Sequence, residues 1–427
     1  MALRVAVIGG GISGLTTAHE LLNAGHVPII MESSDEIGGL RRIFKDFAVD
    51  PIAEPILEAS HDLLDLIDDL DLTQNLVWRD VHRAVYLDGA TYAVGGPMSF
   101  LRFPLPPMTR LRCAAGALAM QRVSNQSALD GRSAADYLRG LFGSCAFARI
   151  WKPYLRGRFG DSYETVSASA AHGRLRQEMA AGRAGYLRGG SRILAEALRT
   201  SILGRGGEIH RNTTVSAVDD DGGAILRIQG ELKRFDAAIS TLPPPSLDQI
   251  ARGRLQNAIP MSDMDYQDTV TVVLASTKPL SHYYQTTVLD HRLPFASIVE
   301  STHVLSPENT GGRHLIHLIH HGPAEGTDAH WIRAAMNGLA ALYPGFRCSS
   351  LDSACVFRSR SSEPIWPVGP RRLPIRAGNS SLYLCTTAQG ENWNARIALA
   401  HQVVSAMSTE LAPVWKGRTP VEVAVGA

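Results

Sequence analysis

RVAVIGGGISGLTTAHELLNAGHVPIIME, residues 4–32, decides how the chain begins to fold. Arg4–Ile8 is a short β-branched run suited to a strand buried on both faces. Gly9-Gly10-Gly11-Ile12-Ser13-Gly14 follows at once, and Leu15, Ala18, Leu21 and Leu22 then recur at helical spacing up to Gly25. A second apolar run, Ile29–Met31, ends at Glu32. Strand, glycine turn, helix, strand and acid in that order form a dinucleotide-binding βαβ unit. Gly9 permits the tight turn, Gly11 lets a pyrophosphate approach the backbone, and Gly14 lets helix and strand pack closely. The helix N-terminus offers unpaired N–H groups to phosphate. Glu32 is placed to accept hydrogen bonds from ribose hydroxyls, and it repels a 2′-phosphate.

Working outward, Ser33-Ser34-Asp35-Glu36-Ile37-Gly38-Gly39-Leu40-Arg41-Arg42 places a second Gly-Gly pair and a basic pair just past the acid. Tyr186–Gly190 precedes Leu194, Ala197 and Leu198; Gly207–Val215 reads as a further strand; Phe235–Pro243 is a strand ending at proline. Arg358–Val368 (RSRSSEPIWPV) and Ser381–Leu384 (SLYL) come later. In order and spacing these segments resemble the FAD-dependent amine oxidase, protoporphyrinogen oxidase and phytoene desaturase superfamily, to which UDP-galactopyranose mutase is related.

The resemblance implies an α/β fold: a glutathione-reductase-type FAD-binding Rossmann domain, an antiparallel-sheet substrate domain and a helical insertion. It implies FAD as cofactor. Gly9, Gly11, Ile12, Ser13, Gly14, Glu32 and Ser33 fall at its AMP half. Gly38, Gly39, Leu40 and Arg41 (or Arg42) fall near the pyrophosphate. Val215 falls against the adenine. The helix spanning Ile397–Met407 is expected to aim its first turn, Trp393-Asn394-Ala395, at the flavin ring, where its dipole favours negative charge.

Two segments depart from the family pattern. Cys385-Thr386-Thr387 stands where the family carries a Gly-Asp pair, leaving Thr387 to offer a hydroxyl in place of the acid. Ile52 or Ala53 stands where a glycine is usual. Both departures touch the flavin half of the site.

The same reading divides the chain. Residues 1–75, 186–247 and 376–415 make a discontinuous FAD-binding domain, 76–97 and 248–375 an antiparallel substrate domain, and 98–185 a helical subdomain. Asp80–Val94 reads as a hairpin turning at Asp88-Gly89. Thr269–Ser276, Thr286–Leu289 and His314–Ile319 read as strands, and Asp136–Phe142 and Ala168–Ala180 as helices.

Composition narrows the function. The chain has 427 residues, more than one ordinary core accommodates. A formal net charge of +1 gives no global field for nucleic acid or an anionic membrane. Five cysteines without a C-x-x-C pair argue for free thiols, with neither a disulfide framework nor a zinc site. The chain enters its first strand without a leader pattern and shows no bilayer-length apolar run, so a cytoplasmic location is expected. His314, His317 and His320 alternate across a strand, a poor arrangement for one metal. Arg102, Arg110 and Arg112 mix with Phe100, Leu101 and Leu111. That mixture fits a cavity cover, with peripheral membrane contact as the other reading.

The cofactor would carry the redox chemistry, so no catalytic triad is expected. His172, Trp366 and Asn394 are the catalytic candidates. Arg156, Arg158 and Arg174, interleaved with aromatics, are the substrate candidates. The expected activity is hydride removal from a C–H or C–N bond of a small biosynthetic molecule. Two other readings stand beside it: a non-redox sugar mutase using reduced flavin, and a degenerate nucleotide-binding partner protein. Whether the substrate is anionic stays open on the sequence.

Overall fold

A computed structural model describes the chain apart from residues 1, 40–41, 45–46, 51–53, 96, 124–125, 180–181, 252–264, 370–372, 391 and 412–427. Of residues 42–44, 47–49, 97, 126–127, 177 and 179 it describes the backbone alone.

Strand β1 (Arg4–Ile8), helix α1 (Ile12–Asn23) and strand β2 (Val27–Met31) form the expected opening unit. β1 is central in a five-stranded parallel sheet. Its order is Leu382–Leu384, Ala237–Ser240, β1, β2, Glu208–His210. Alternation along β1 settles what covers each face. Val5 and Val7 face α1 and the helices Ser191–Gly204 and Trp393–Glu410. Ala6 and Ile8 face an antiparallel sheet made of Val215–Asp220, Ala224–Ile228 and Glu231–Phe235. Both faces are covered, which is why β1 is an unbroken apolar run.

A second, seven-stranded sheet has the order Leu351–Ile365, Asp265–Ser276, His314–His321, Ser297–Glu300, Gln285–Val288, Arg83–Leu87, Ala90–Val94. Its pairs are antiparallel except Gln285–Val288 with Arg83–Leu87. Val270, Val272, Leu274, Ile316 and Leu318 pack against the helix Asp328–Leu342. The alternate residues, Thr269, Thr271, Ile319 and His321, line a cavity on the opposite face. The hairpin is shorter than expected. Asp80 and Val81 end a separate strand, Leu76–Val81, which pairs with Gly182–Leu187. The hairpin itself spans Arg83–Val94 and turns at Asp88 and Gly89, with φ of +51° and +81°, a pair of positive values suited to a two-residue turn.

The intervening stretch is helical: Pro107–Gln121, Ala134–Ala146, Lys152–Phe159 and Ala168–Met179 enclose an aromatic core that includes Phe142 and Trp151. No described helix is long and apolar enough to cross a membrane.

Candidate functional site

The glycine turn forms an open cradle at the start of α1. Gly9 has φ +108°, a conformation that L side chains rarely adopt, and its N–H bonds the Met31 carbonyl at 2.9 Å. A Cβ on Gly14 would lie 1.9 Å from the Gly9 carbonyl oxygen, so α1 leaves the turn in direct contact with it. A Cβ on Gly11 would meet nothing within 4 Å. Gly11 is the N-cap of α1 and gives it no side-chain cap, so the first-turn N–H groups face an open crevice. The crevice measures about 290 Å³, and its walls include Gly9, Gly11, Ile12, Ser13, Gly38 and Thr241. Gly38 donates its N–H to the Gly10 carbonyl at 2.7 Å, tying the second glycine pair to the first turn.

The Glu32 carboxylate is oriented from both sides. One oxygen accepts the Gly10 N–H at 2.7 Å, and the other accepts the Ser34 N–H and hydroxyl, each at 2.8 Å. The Ser33 hydroxyl adds a longer contact to Glu32 at 3.3 Å. Val215 is buried and packs with Ile8, Ile29 and Met31, and it is not among the residues that line the crevice. Leu40 and Arg41 lie outside the described residues, as do Ile52 and Ala53, and the Arg42 side chain is not among those described.

The flavin-half residues divide by role. Cys385 is buried against the Thr17 hydroxyl, and burial pushes its thiol up to about 11. Thr387 lines both the crevice and a second cavity, and its buried hydroxyl has no protein partner. Such a group calls for a ligand or water to satisfy it. An open cradle, an uncapped helix and an unsatisfied hydroxyl on one continuous surface fit an extended dinucleotide. Asn394 lines the second cavity and also joins the helices His61–Asp69 and Trp393–Glu410: its Oδ1 accepts the Leu63 N–H at 3.0 Å and its Nδ2 donates to Asp62 at 2.9 Å. Ala395 donates its N–H to the Asn392 side chain, which caps that helix.

Thr387, Trp393 and Arg396 line both spaces. The second cavity, about 200 Å³, lies between the seven-stranded sheet and the helical region. Arg158 Nη2 donates to both Glu363 oxygens, at 2.8 and 2.7 Å, and its Nη1 meets His321 Nε2 at 2.6 Å. Arg174 reaches the same carboxylate at 3.3 Å. Burial opposes ionisation of Glu363, yet Arg158 and Arg174 hold it down at about 2. Burial, then Arg158, pushes His321 well below its ordinary value, so the ring is neutral and Nε2 accepts. Glu178 is pushed up by burial against the pull of Arg158 and Arg174. Glu54 is pushed up by burial against the pull of Arg396, and it accepts the Trp393 N–H at 3.1 Å. Arg83, 5% exposed, lies over the Tyr284 ring at 5.7 Å.

Arg158 and Arg174 therefore face the cavity, whereas Arg156 is half-exposed beside Asp161 at 3.9 Å. Arg156 and Arg158 are two positions apart on one helix, a spacing that sends side chains to different faces. His172 corrects the sequence reading. It is 0% exposed inside the helical core, bonded to the Met120 carbonyl at 3.0 Å and edge-on to Tyr137, and it lines neither space. Trp366 packs in the same core, likewise away from both walls. His317 and His321 share the cavity-side face, while His320 turns to Trp331. No cluster of metal-ligating side chains occurs among the described residues. Arg83, Glu178, His321, Glu363, Glu54 and Arg396 were not singled out from the sequence. Only His321 had a signal there, the alternation of its strand.

A family model for flavin-containing amine oxidoreductases matches residues 12–398. The 15-cis-phytoene desaturase of Narcissus pseudonarcissus is 32% identical over 107 residues, 24% of this chain and 18% of that protein. The match thus spans under a fifth of that relative. Cyclohexylamine oxidase from Brevibacterium oxydans IH-35A superposes with a TM-score of 0.73 at 15% identity, covering 96% of this chain and 100% of that one. A reduced UDP-galactopyranose mutase superposes at 0.71 and 16% identity, covering 96% of each. At these identities the two structures establish the shared fold.

Proposed function

Because the chain belongs to the flavin-containing amine oxidoreductase family, we propose that it is an oxidoreductase removing a hydride from a C–H or C–N bond of a small molecule seated beside Arg174 and Glu363. FAD is the cofactor, and when bound it supplies the hydride acceptor. The chain does the rest. Gly9, Gly11, Gly14 and the start of α1 receive the pyrophosphate, and Glu32 receives the ribose hydroxyls. Thr387 offers a hydroxyl where the two spaces meet. Glu54 and Glu178 lie on the cavity wall, and burial pushes both carboxyls up from their ordinary values.

The observation that carries this reading is the junction: the nucleotide crevice and the second cavity share Thr387, Trp393 and Arg396. A cofactor held at one end can thus meet a substrate held at the other. The test is the absorbance of the purified protein, followed by anaerobic addition of candidate substrates. Bleaching of the flavin band by a substrate is the expected result. Turnover only with pre-reduced flavin and without net electron flow replaces the proposal with an isomerase. No flavin band, even after FAD is added, replaces it with a nucleotide-binding partner protein.

A further inference from the structure

Apolar exposure on this chain is concentrated in one place. Eight large hydrophobic side chains stand exposed among the described residues, and five of them, Met98, Leu101, Met108, Leu111 and Leu118, lie within residues 98–118. They belong to the short turn Pro97–Arg102 and the helix Pro107–Gln121. Met108, Leu111, Ala115 and Leu118 recur at three- and four-residue spacing, so they share the outward face of that helix. The inward face is apolar too, with Cys113, Gly116, Ala117 and Met120 buried. A helix that is apolar all round belongs in a protein core or against lipid, yet here Met108 is 76% and Leu111 59% exposed.

This face is held in shape and positively charged. Arg110 Nε donates to the Leu105 carbonyl at 2.6 Å and its Nη1 to the Leu101 carbonyl at 3.0 Å, which fixes the turn to the helix. Phe100 and Phe103 are buried beneath it, with ring centroids 5.4 Å apart, while Met98 and Leu101 stay exposed. Residues 97–122 carry Arg102, Arg110, Arg112 and Arg122 and no carboxylate. Arg112 donates to the Gly140 and Leu141 carbonyls at 2.7 and 3.2 Å, neutral acceptors that leave its positive charge in place. Arg122 follows Leu118 by four residues, in line with the apolar stripe, and Arg102 closes the turn; both are exposed. None of these side chains is among those lining the crevice or the second cavity, so the exposed face serves as no cavity wall.

We propose that this face docks the protein on an anionic lipid surface. Met98, Leu101, Met108, Leu111 and Leu118 enter the headgroup region, and Arg102, Arg112 and Arg122 meet the lipid phosphates. Contiguous exposed apolar side chains rimmed by charge mark an interaction surface. The charge decides the occupant. A second copy seated on the same face by two-fold symmetry would set these arginines against their own images, which is repulsive. An anionic bilayer answers both features at once, because it buries an apolar stripe lying in its plane and attracts the cations beside it. The positive charge is local, in keeping with a formal net charge of only +1 for the whole chain. The inference stands independently of the reaction in the second cavity.

The experiment floats the full chain, as purified, with vesicles of phosphatidylcholine alone and of equal parts phosphatidylcholine and phosphatidylglycerol. Saturable binding to the mixed vesicles, at least tenfold tighter than to phosphatidylcholine alone, is expected. Raising the ionic strength from about 0.1 M to about 1 M shortens the Debye length from about 10 Å to about 3 Å and should weaken that binding by a similar factor. A triple variant, Met108→Gln with Leu111→Gln and Leu118→Gln, and a double variant, Arg102→Gln with Arg122→Gln, should each lose at least tenfold in binding while flavin content and melting temperature stay near those of the parent. Leu111→Trp adds a readout that needs no loss of binding: its added emission should shift to the blue with the mixed vesicles only. Absence of binding to the mixed vesicles, equal binding to both kinds, undiminished binding in the triple variant or an unshifted Leu111→Trp emission overturns the inference. Self-association of the parent that the triple variant abolishes overturns it too, and assigns the face to a second copy.

Discussion

The Cβ that Gly14 lacks would lie 1.9 Å from the carbonyl oxygen of Gly9. That oxygen belongs to the backbone of the turn, which cannot swing aside as a side chain can. Gly14→Ala must therefore push α1 away from β1 and distort the cradle. The expected cost is about 1–3 kcal/mol or more, as for an overpacked core. Thermal unfolding and flavin content should fall together.

Gly11→Val separates binding from folding. A Cβ there meets nothing within 4 Å, so the new side chain enters the volume a pyrophosphate would need. The variant should melt within a degree or two of the flavin-free parent and purify without flavin. Full flavin occupancy would refute the assignment of the crevice.

Glu32→Ala removes the acceptor aimed at the ribose and leaves the Gly10 N–H without its bond. Charge-assisted hydrogen bonds contribute roughly 1.5–3 kcal/mol, so FAD affinity should fall on the order of tenfold or more. Titration of the flavin-stripped protein reads this directly.

Glu363 predicts a pH dependence. Its folded-state value, about 2, lies below the ordinary 4.5. The stabilisation is therefore fully present above pH 4.5 and is lost as pH falls toward 2, an effect of about 3 kcal/mol by linkage. Glu363→Gln leaves two partly buried guanidiniums without their carboxylate, and it should destabilise the protein at pH 7 by about 1–3 kcal/mol. Between pH 4.5 and 2 the variant should lose less stability than the parent. Equal acid sensitivity would exclude Glu363 as the group responsible.

His172→Gln tests the corrected assignment. The ring is confined to the helical core and bonded to the Met120 carbonyl. Substitution should lower stability by about 1–3 kcal/mol through an unsatisfied or poorly filled site. The turnover number of the flavin-loaded enzyme should not change, and the pH profile should keep its shape. A tenfold loss of turnover with intact stability would return His172 to the chemistry.

The legible parts of this chain are those whose partners lie close in sequence or whose pattern repeats. The unbroken apolar run Val5-Ala6-Val7-Ile8 announced a strand buried on both faces, and the Asp88-Gly89 turn announced its hairpin. Arg158 was read as a substrate residue, but so was Arg156, because density of arginines says nothing about which face of a helix meets a cavity. His172 drew attention as a titratable group in a helix, though its surroundings proved to be apolar core. Glu363 passed unremarked within RSRSSEPIWPV because its meaning depends on what stands opposite.

The sequence by itself determined the dinucleotide-binding fingerprint at the start of the chain. Turn, helix start and acid lie within the contiguous stretch 4–32, and each acts through backbone geometry that a glycine or a carboxylate dictates locally. Only the tertiary structure decided what the second space contains. Sheet register sets Gln267 opposite Glu363 and Thr269 opposite His321. Helix packing then brings Arg158 and Arg174 to the same carboxylate. Their charges follow from burial and proximity, which are properties of the assembled fold and of no segment within it.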